Sequence, residues 1–392
     1  MPDTPDIGSR LRSIRKRRGL TQRELAQAAG VSTSLVSKLE QGVIGDVRLE
    51  TARQLAVALR VSTTSLLQRD EPGPPPVEIR DQWAAVRAAL TTPPTDEVQD
   101  APTVDGTRRA LTAAEPLFAA DQFSDLARIL PPLLRDAEAL GSAAEARAIR
   151  TRTLQLTGWL LVQTRQFEAA EVALARALDG AADRLDGAAT VSTMCWLMLR
   201  TGRLAEALDW AVRWADDVEP RVTRATPDEL SAWGWMLLRV SAAAVRDNRP
   251  DVAEDSLRWA RSAAVALGRE HAPRADFLRT FGPVTVALKA AENASVVQRP
   301  DRVLTLAKQV PASSLRPTSN NRNRHLLDVA NAHASLRDYG SAVEVLESVR
   351  AGSPQWLPQQ RFARDIVGRI VGRRRTLTPE MRELATAVAL PL

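Results

Sequence analysis

Wherever the chain reads as ordered, apolar residues recur three or four positions apart, and no stretch alternates convincingly as a strand would. Ile7, Leu11 and Ile14 share one face of a first helix, from about Ile7 to Arg18, which Gly19-Leu20 ends. Two short helices joined by a tight turn follow. Thr21 caps the first, with Glu24 three residues on as its capping-box partner. Gly30 stands where the turn needs a residue tolerant of positive φ, and Ser32 caps the second. Leu25, Val31, Val36 and Leu39 bury between the two helices, and Ala26 is small where they cross. Leu49, Ala52, Leu55, Ala56 and Leu59 mark a fourth helix that Val61-Ser62 ends, and Ser62-Thr63-Thr64 caps a last short one around Leu66-Leu67.

Asp70-Glu71-Pro72-Gly73-Pro74-Pro75-Pro76 breaks this pattern and favours an extended, semi-rigid spacer. A short amphipathic helix around Trp83–Leu90 follows, then a polar, proline-bearing stretch over Thr91–Gly106. From about residue 107 the chain is helical and repetitive. Gln163–Ala170 precedes Leu174 and Ala177, with Gly158 nine residues before Phe167. Gly202–Ala207 precedes Ala211, with Cys195 at the corresponding small position. Asp338–Ala342 precedes Leu346, with Ala330 before it and Pro354 closing the unit. Weaker copies centre on Phe123, Pro250 and Pro300. The pattern therefore predicts an all-α protein. A five-helix domain occupies 1–69, a Pro-rich linker with a short helix 70–106, helical repeats 107–360, and basic capping helices 361–392. In the last segment Phe362, Ile366, Ile370 and Val371 form an apolar face among arginines, and Thr378-Pro379-Glu380 caps a final helix. A solvating cap for the array is the default reading, with a second nucleic-acid contact or a dimer surface as the alternatives.

Charge sharpens the picture. The chain carries a net +6, of which +5 falls within residues 1–70, so the positive field belongs to the N-terminal helices. The single cysteine leaves no intrachain disulfide and no cysteine-rich zinc site. No run of eighteen apolar residues exists and no apolar leader follows the N-terminus, so the reading is a cytoplasmic protein without a membrane partner. The three histidines, His271, His325 and His333, lack metal-ligand spacing, and no nucleophile elbow, phosphate loop or dinucleotide fingerprint is present. No catalytic site, cofactor or metal is expected, and the protein is not read as an enzyme.

The small residue, the turn glycine and the branched apolar residue fall four, eight and fourteen positions after Gln22. That spacing, with its flanking helices from about Ile7 to Leu67, resembles the helix-turn-helix of the Cro/cI repressor family, the XRE class. The resemblance implies a recognition helix in the major groove of double-stranded operator DNA. Base contacts then fall to Thr33, Ser34, Ser37 and Lys38, of which Lys38 alone makes a strong charge-assisted contact to guanine. It also implies that Gln22, at a helix N-terminus, faces a phosphate. Arg10 (within the cluster Arg10, Arg12, Arg15, Lys16, Arg17 and Arg18), Arg23, Ser32 and Arg48 complete the expected phosphate-contacting set. Thr33 stands where the family often has a residue capable of bidentate readout, so shape readout or dimerisation would supply more of the specificity.

The repeated segment resembles divergent tetratricopeptide repeats. Its anchors at 123, 167, 204, 250, 300 and 339 lie 37 to 50 residues apart, against a family period of about 34. The resemblance implies stacked helix pairs with a concave groove, and places Glu115, Trp159, Trp196, Ala242, Glu292 and Asn331 toward it. Trp235, earlier on its helix, should also face inward. Trp159, Trp196, Trp235, Glu292 and Asn331 are thus the candidate residues for a peptide or small-molecule effector. The competing reading puts the tryptophans in the interhelix core. A Cro/cI-like head before such repeats is similar to the peptide-sensing regulators of Gram-positive bacteria, and the Ala/Arg-rich, Lys-poor composition looks actinobacterial. The function implied is a sequence-specific, homodimeric transcriptional regulator whose repeats bind an effector and mediate dimerisation. A repeat scaffold localised by its DNA-binding head, and a repressor whose repeats serve assembly alone, remain open.

Overall fold

The computed structural model describes residues 7–44, 47, 49–61, 66, 81–91, 101–273, 279–310 and 319–391. Among these residues it is helical, with one isolated bridge between His271 and Phe281 in place of any strand. The chain forms two compact units. The first, called the head here, joins Met1–Asp81 with Gln360–Leu392, and the second, the repeat body, is Gln82–Gln359.

In the head, α1 (Ile7–Arg17), α2 (Gln22–Ala29), α3 (Thr33–Glu40) and α4 (Leu49–Leu59) enclose one apolar core. Leu11, Leu25, Val36, Leu39, Leu55 and Leu59 are fully buried in it. The capping box closes in both directions, Glu24 N to Thr21 Oγ1 and Thr21 N to Glu24 Oε2. Gly30 takes up φ 67° at the end of α2, a conformation that disfavours any residue with a Cβ. Of the fifth expected helix only Leu66 is described, helical and buried in this core. Arg48, the spacer Asp70–Pro76 and residues 92–100 lie outside the described residues.

The repeat body opens on α5 (Ala84–Thr91), the short helix expected within the linker. It packs on the repeats. Trp83, just before it, meets Phe123 edge-on with ring centroids 6.4 Å apart, and Arg176 donates to the Leu90 carbonyl at 2.8 Å. Six helix pairs follow, in a tetratricopeptide-like order. They are α6 (Val104–Ala119) with α7 (Phe123–Ala139), α8 (Ala144–Gln163) with α9 (Phe167–Asp179), and α10 (Arg184–Thr201) with α11 (Leu204–Asp217). The other three are α12 (Pro227–Arg246) with α13 (Pro250–Leu267), α14 (Pro283–Val296) with α15 (Pro300–Ala307), and α16 (Ser319–Ser335) with α17 (Tyr339–Gly352). The second helix of every pair starts at one of the six anchors. A Cβ on Gly158 would lie 2.6 Å from the Leu174 side chain, which explains why that crossing takes no larger residue. Cys195 fills the corresponding small position, buried with its Sγ 3.7 Å from the Ala207 carbonyl. Burial pushes its thiol up to about 12, which suits packing and not thiolate chemistry.

The last helices, α18 (Arg361–Arg373) and α19 (Pro379–Ala387), differ from the expected cap. They bury Ile366, Val367, Ile370, Met381 and Leu384, and they belong to the head. Their amphipathic pattern shows that one face must be covered, but not by what. Among the described residues, no helix is long and apolar enough to cross a membrane, and no group of three or more His, Cys, Asp or Glu residues could hold a metal ion.

Candidate nucleic-acid interface and repeat cavity

The head builds its polar face on a buried ion pair. Arg15 reaches Glu40 through Nε to Oε1 at 2.5 Å and Nη2 to Oε2 at 2.7 Å, and Arg15 Nη1 donates to the Leu20 carbonyl at 2.7 Å. Gln22 Nε2 adds a third donor to the same carboxylate at 2.8 Å. One carboxylate on α3 thus fixes α1 and the start of α2, and a bidentate guanidinium gives the pair its geometry. At the start of α3 the Leu35 amide donates to Ser32 Oγ at 3.1 Å. Thr33, Ser34 and Lys38 are exposed, and half-buried Ser37 accepts from Gln41 Nε2 at 3.2 Å.

A cleft of about 620 Å³ opens beside this helix, lined by α1 through Arg12, Arg15 and Lys16 and by Thr21, Gln22 and Arg23. Thr33, Ser37 and Glu40 of α3 and Gln41 just after it line the cleft as well, together with Gly372, Arg373, Arg374 and Arg375. Seven cationic side chains therefore line it with a single carboxylate, and that carboxylate is already held by Arg15. Lys16 is buried, and its Nζ donates to the Val371 carbonyl at 3.0 Å. Burial first, then Arg12 and Arg15, lower its pKa.

The expected DNA-contacting residues divide accordingly. Gln22, Arg23, Thr33 and Ser37 converge on the cleft. Ser32, Ser34 and Lys38 do not line it, although all three are exposed at or along α3. Arg10 is not a lining residue; its Nε donates to the Leu66 carbonyl at 3.0 Å, which ties α1 to the last helix of the core. Arg12 and Lys16, members of the basic cluster on α1, complete the cleft together with Arg373–Arg375, for which a second nucleic-acid contact was the alternative to a solvating cap.

In the repeat body Trp159, Trp196, Trp235 and Glu292 come together around a cavity of about 160 Å³. The tryptophans belong to α8, α10 and α12 and are all buried while lining it, so core and groove are here the same place. Asn331 does not line the cavity. Helix α16 enters through Asn320, Asn321 and Arg324, and Asn331 lies seven residues beyond, about 10 Å along the axis. The remaining lining is strongly cationic: Arg200, Arg239, Arg246, Arg279, Arg324 and Lys289. Arg246 and Lys289 donate to Glu292 at 2.7 and 2.8 Å. Burial raises the pKa of the Glu292 carboxyl, but Lys289 and Arg246 more than offset this and hold it below the usual range. Arg239 and Arg324 stand over the rings of Trp235 and Trp196, 5.1 and 4.7 Å from the centroids.

Comparison with known proteins agrees with the head. Residues 11–66 match the HTH_3 family model, described as helix-turn-helix. RghRB of Bacillus subtilis (strain 168), named an uncharacterized HTH-type transcriptional regulator, is 37% identical over 61 residues, which cover 16% of this chain and 44% of that protein. The chain thus matches less than half the length of that relative. The crystal structure of Bacillus thuringiensis PlcR in complex with the peptide PapR7 and DNA is similar over 85% of this chain and 98% of that one, at a TM-score of 0.38 and 11% identity. The N-terminal helices of this chain are a helix-turn-helix DNA-binding domain of the XRE type.

Proposed function

We propose that this protein is a transcriptional regulator that reads operator DNA through α3 and responds to an effector held in the repeat body. The carrying observation is the cleft beside the recognition helix, with seven cations and one neutralised carboxylate. A duplex backbone carries one charge per ~1.7 Å, so a one-signed cleft next to a groove-reading helix is a phosphate track. Thr33, Ser34, Ser37 and Lys38 take the base-edge positions on this reading. Gln22, Arg23, Ser32, Arg12 and Arg373–Arg375 take the phosphates, with Gln22 oriented by Glu40. One head covers a single half-site, and a homodimer supplies the second, which suits a two-fold operator. The effector reading rests on three tryptophans gathered at one cavity from three successive helix pairs.

The test is fluorescence anisotropy of the protein with labelled DNA from its own upstream region and with scrambled DNA, at two salt concentrations, with and without extract of spent culture. Salt-sensitive, preferential binding that shifts with the extract supports the regulator. Equal binding to both DNAs that ignores the extract would overturn it.

A further inference from the structure

Two passages of chain join the repeat body to the head. One follows the Pro-rich spacer, and the other runs from α17 into α18 through Ser353–Gln360. The second passage is held by two helices that line the repeat cavity. Ser353, Trp356, Leu357 and Gln360 are buried. Trp356 Nε1 donates to Gln163 Oε1 at 3.2 Å, and Gln163 lies on α8 one turn beyond Trp159, a lining residue. Asn323 Nδ2 donates to Ser353 Oγ at 2.8 Å, and Asn323 stands on α16 between Asn321 and Arg324, which both line the cavity. Gln355 Oε1 accepts from the Ser124 amide at 2.8 Å, which ties the passage to the first helix pair as well.

The Gln163 contact carries a penalty. An indole N–H only donates, so the amide must turn its oxygen toward Trp356. Its Nε2 is then buried with no hydrogen-bond partner among the described residues, which opposes this arrangement. Release of the indole would free that donor to find an acceptor, so the passage is poised for a second arrangement in a way that a fully satisfied contact would not be. Trp159 on α8 and Asn320 and Asn321 on α16 line one cavity, so whatever fills it sets the spacing of the two helices that hold the passage. Beyond Gln360, α18 carries Val371, the acceptor for Lys16, and then Arg373–Arg375 follow. Helix α3 is off this route, since Glu40 fixes it to Arg15 and Gln22. We propose that Ser353–Gln360 transmits the state of the repeat cavity to Arg373–Arg375, so that an effector alters the grip on phosphates and leaves the reading of bases by α3 as it was. This rests on the reading of the repeat body as an effector-binding domain.

The experiment is hydrogen exchange of the full chain, with and without a duplex from its upstream region at low salt, where phosphate contacts alone secure binding. Coupling is reciprocal, so DNA on the arginines must be felt at the far end of the passage, as a change in exchange rate of about fivefold or more at Ser353–Gln360 and in the last turn of α8. Helices α11 and α13 should not change. Inserting Gly-Gly-Ser between Gln359 and Gln360 should abolish the effect with DNA binding retained. Gln163→Leu with Trp356→Phe removes donor and acceptor together, and should abolish it with the melting temperature little altered. Exchange in the passage that ignores DNA would overturn the inference, as would a change that survives the insertion or the double variant. In anisotropy, spent-culture extract should alter the salt slope of operator binding and keep the ratio of operator to scrambled affinity. An extract that alters that ratio alone would overturn the inference and spare the effector reading. A DNA-dependent change in exchange with no response to extract would leave the passage standing and remove the effector reading.

Discussion

Lys16 on α1 and Val371 at the end of α18 are joined by a 3.0 Å hydrogen bond, although 355 positions of sequence separate them. The acceptor is a carbonyl in the last turn of a helix, where intrahelical donors run out and a cation is favoured. Lys16→Met keeps the stem and removes the donor. The Val371 carbonyl keeps its bond from the Arg374 amide at 3.3 Å, so the loss should be about 1 kcal/mol, the net contribution of a single hydrogen bond. Urea denaturation should show it, and hydrogen exchange should speed up in α18 and α19 ahead of the rest of the head. Unchanged exchange there would mean that the bond holds nothing in place.

Replacing Arg373, Arg374 and Arg375 together with glutamine should leave the melting temperature unaltered, because all three are exposed. Operator affinity should fall for all sequences alike. The slope of log affinity against log salt should drop by about 0.9 for each phosphate that is no longer neutralised. A slope equal to that of the unmodified protein would take the run out of the interface.

The Arg15–Glu40 pair has side-chain exposures of 4% and 2%. Glu40→Leu strands the guanidinium and releases Gln22, and should destabilise the head by about 3–5 kcal/mol. The double change Arg15→Met with Glu40→Leu should recover much of that loss in thermal melts. Its operator binding should stay weak even so, since Gln22 would lack the partner that orients it.

Asp328 supplies a pH dependence. Burial and the Glu292 carboxylate raise its pKa from 3.8 to about 7, against the opposing effects of Ser295, Lys289 and Arg246. Between those values the folded chain holds a proton that the unfolded chain has lost. Stability from this group is therefore greatest below about pH 4, falls as the pH rises toward 7, and is flat above. Asp328→Asn should flatten this segment of the profile and raise the melting temperature at pH 8 by several degrees, with little effect at pH 4. Parallel profiles for the two proteins would refute the assignment.

Much of this was legible in the sequence because the informative features are local. A capping box, a turn glycine and a small residue before a second helix all act within a few residues, and the six anchors each open a helix. Trp159 and Trp196 are large side chains placed by the same short-range register, whereas on α12 that register names Ala242 and the cavity is lined instead by Trp235, seven residues earlier. Asn331 fails under that rule because α16 meets the cavity through its first turns, whereas α14 meets it through Lys289 and Glu292 near its middle. Arg373–Arg375 could not be assigned to a surface, since an amphipathic helix announces that it will be covered and is silent about its partner. The cationic lining was equally hidden, because Arg200, Arg239, Arg279 and Arg324 come from four separate segments.

The head joins Met1–Asp81 with Gln360–Leu392, and this has a consequence for synthesis. Its helix α3 leaves the ribosome before the repeat body and Arg373–Arg375 leave after it. At about 5–20 residues per second the interval is on the order of tens of seconds, during which the entire repeat body emerges. On the proposed reading a nascent or truncated chain carries α3 with half of its phosphate track, and only chains translated past Arg375 would grip DNA in full.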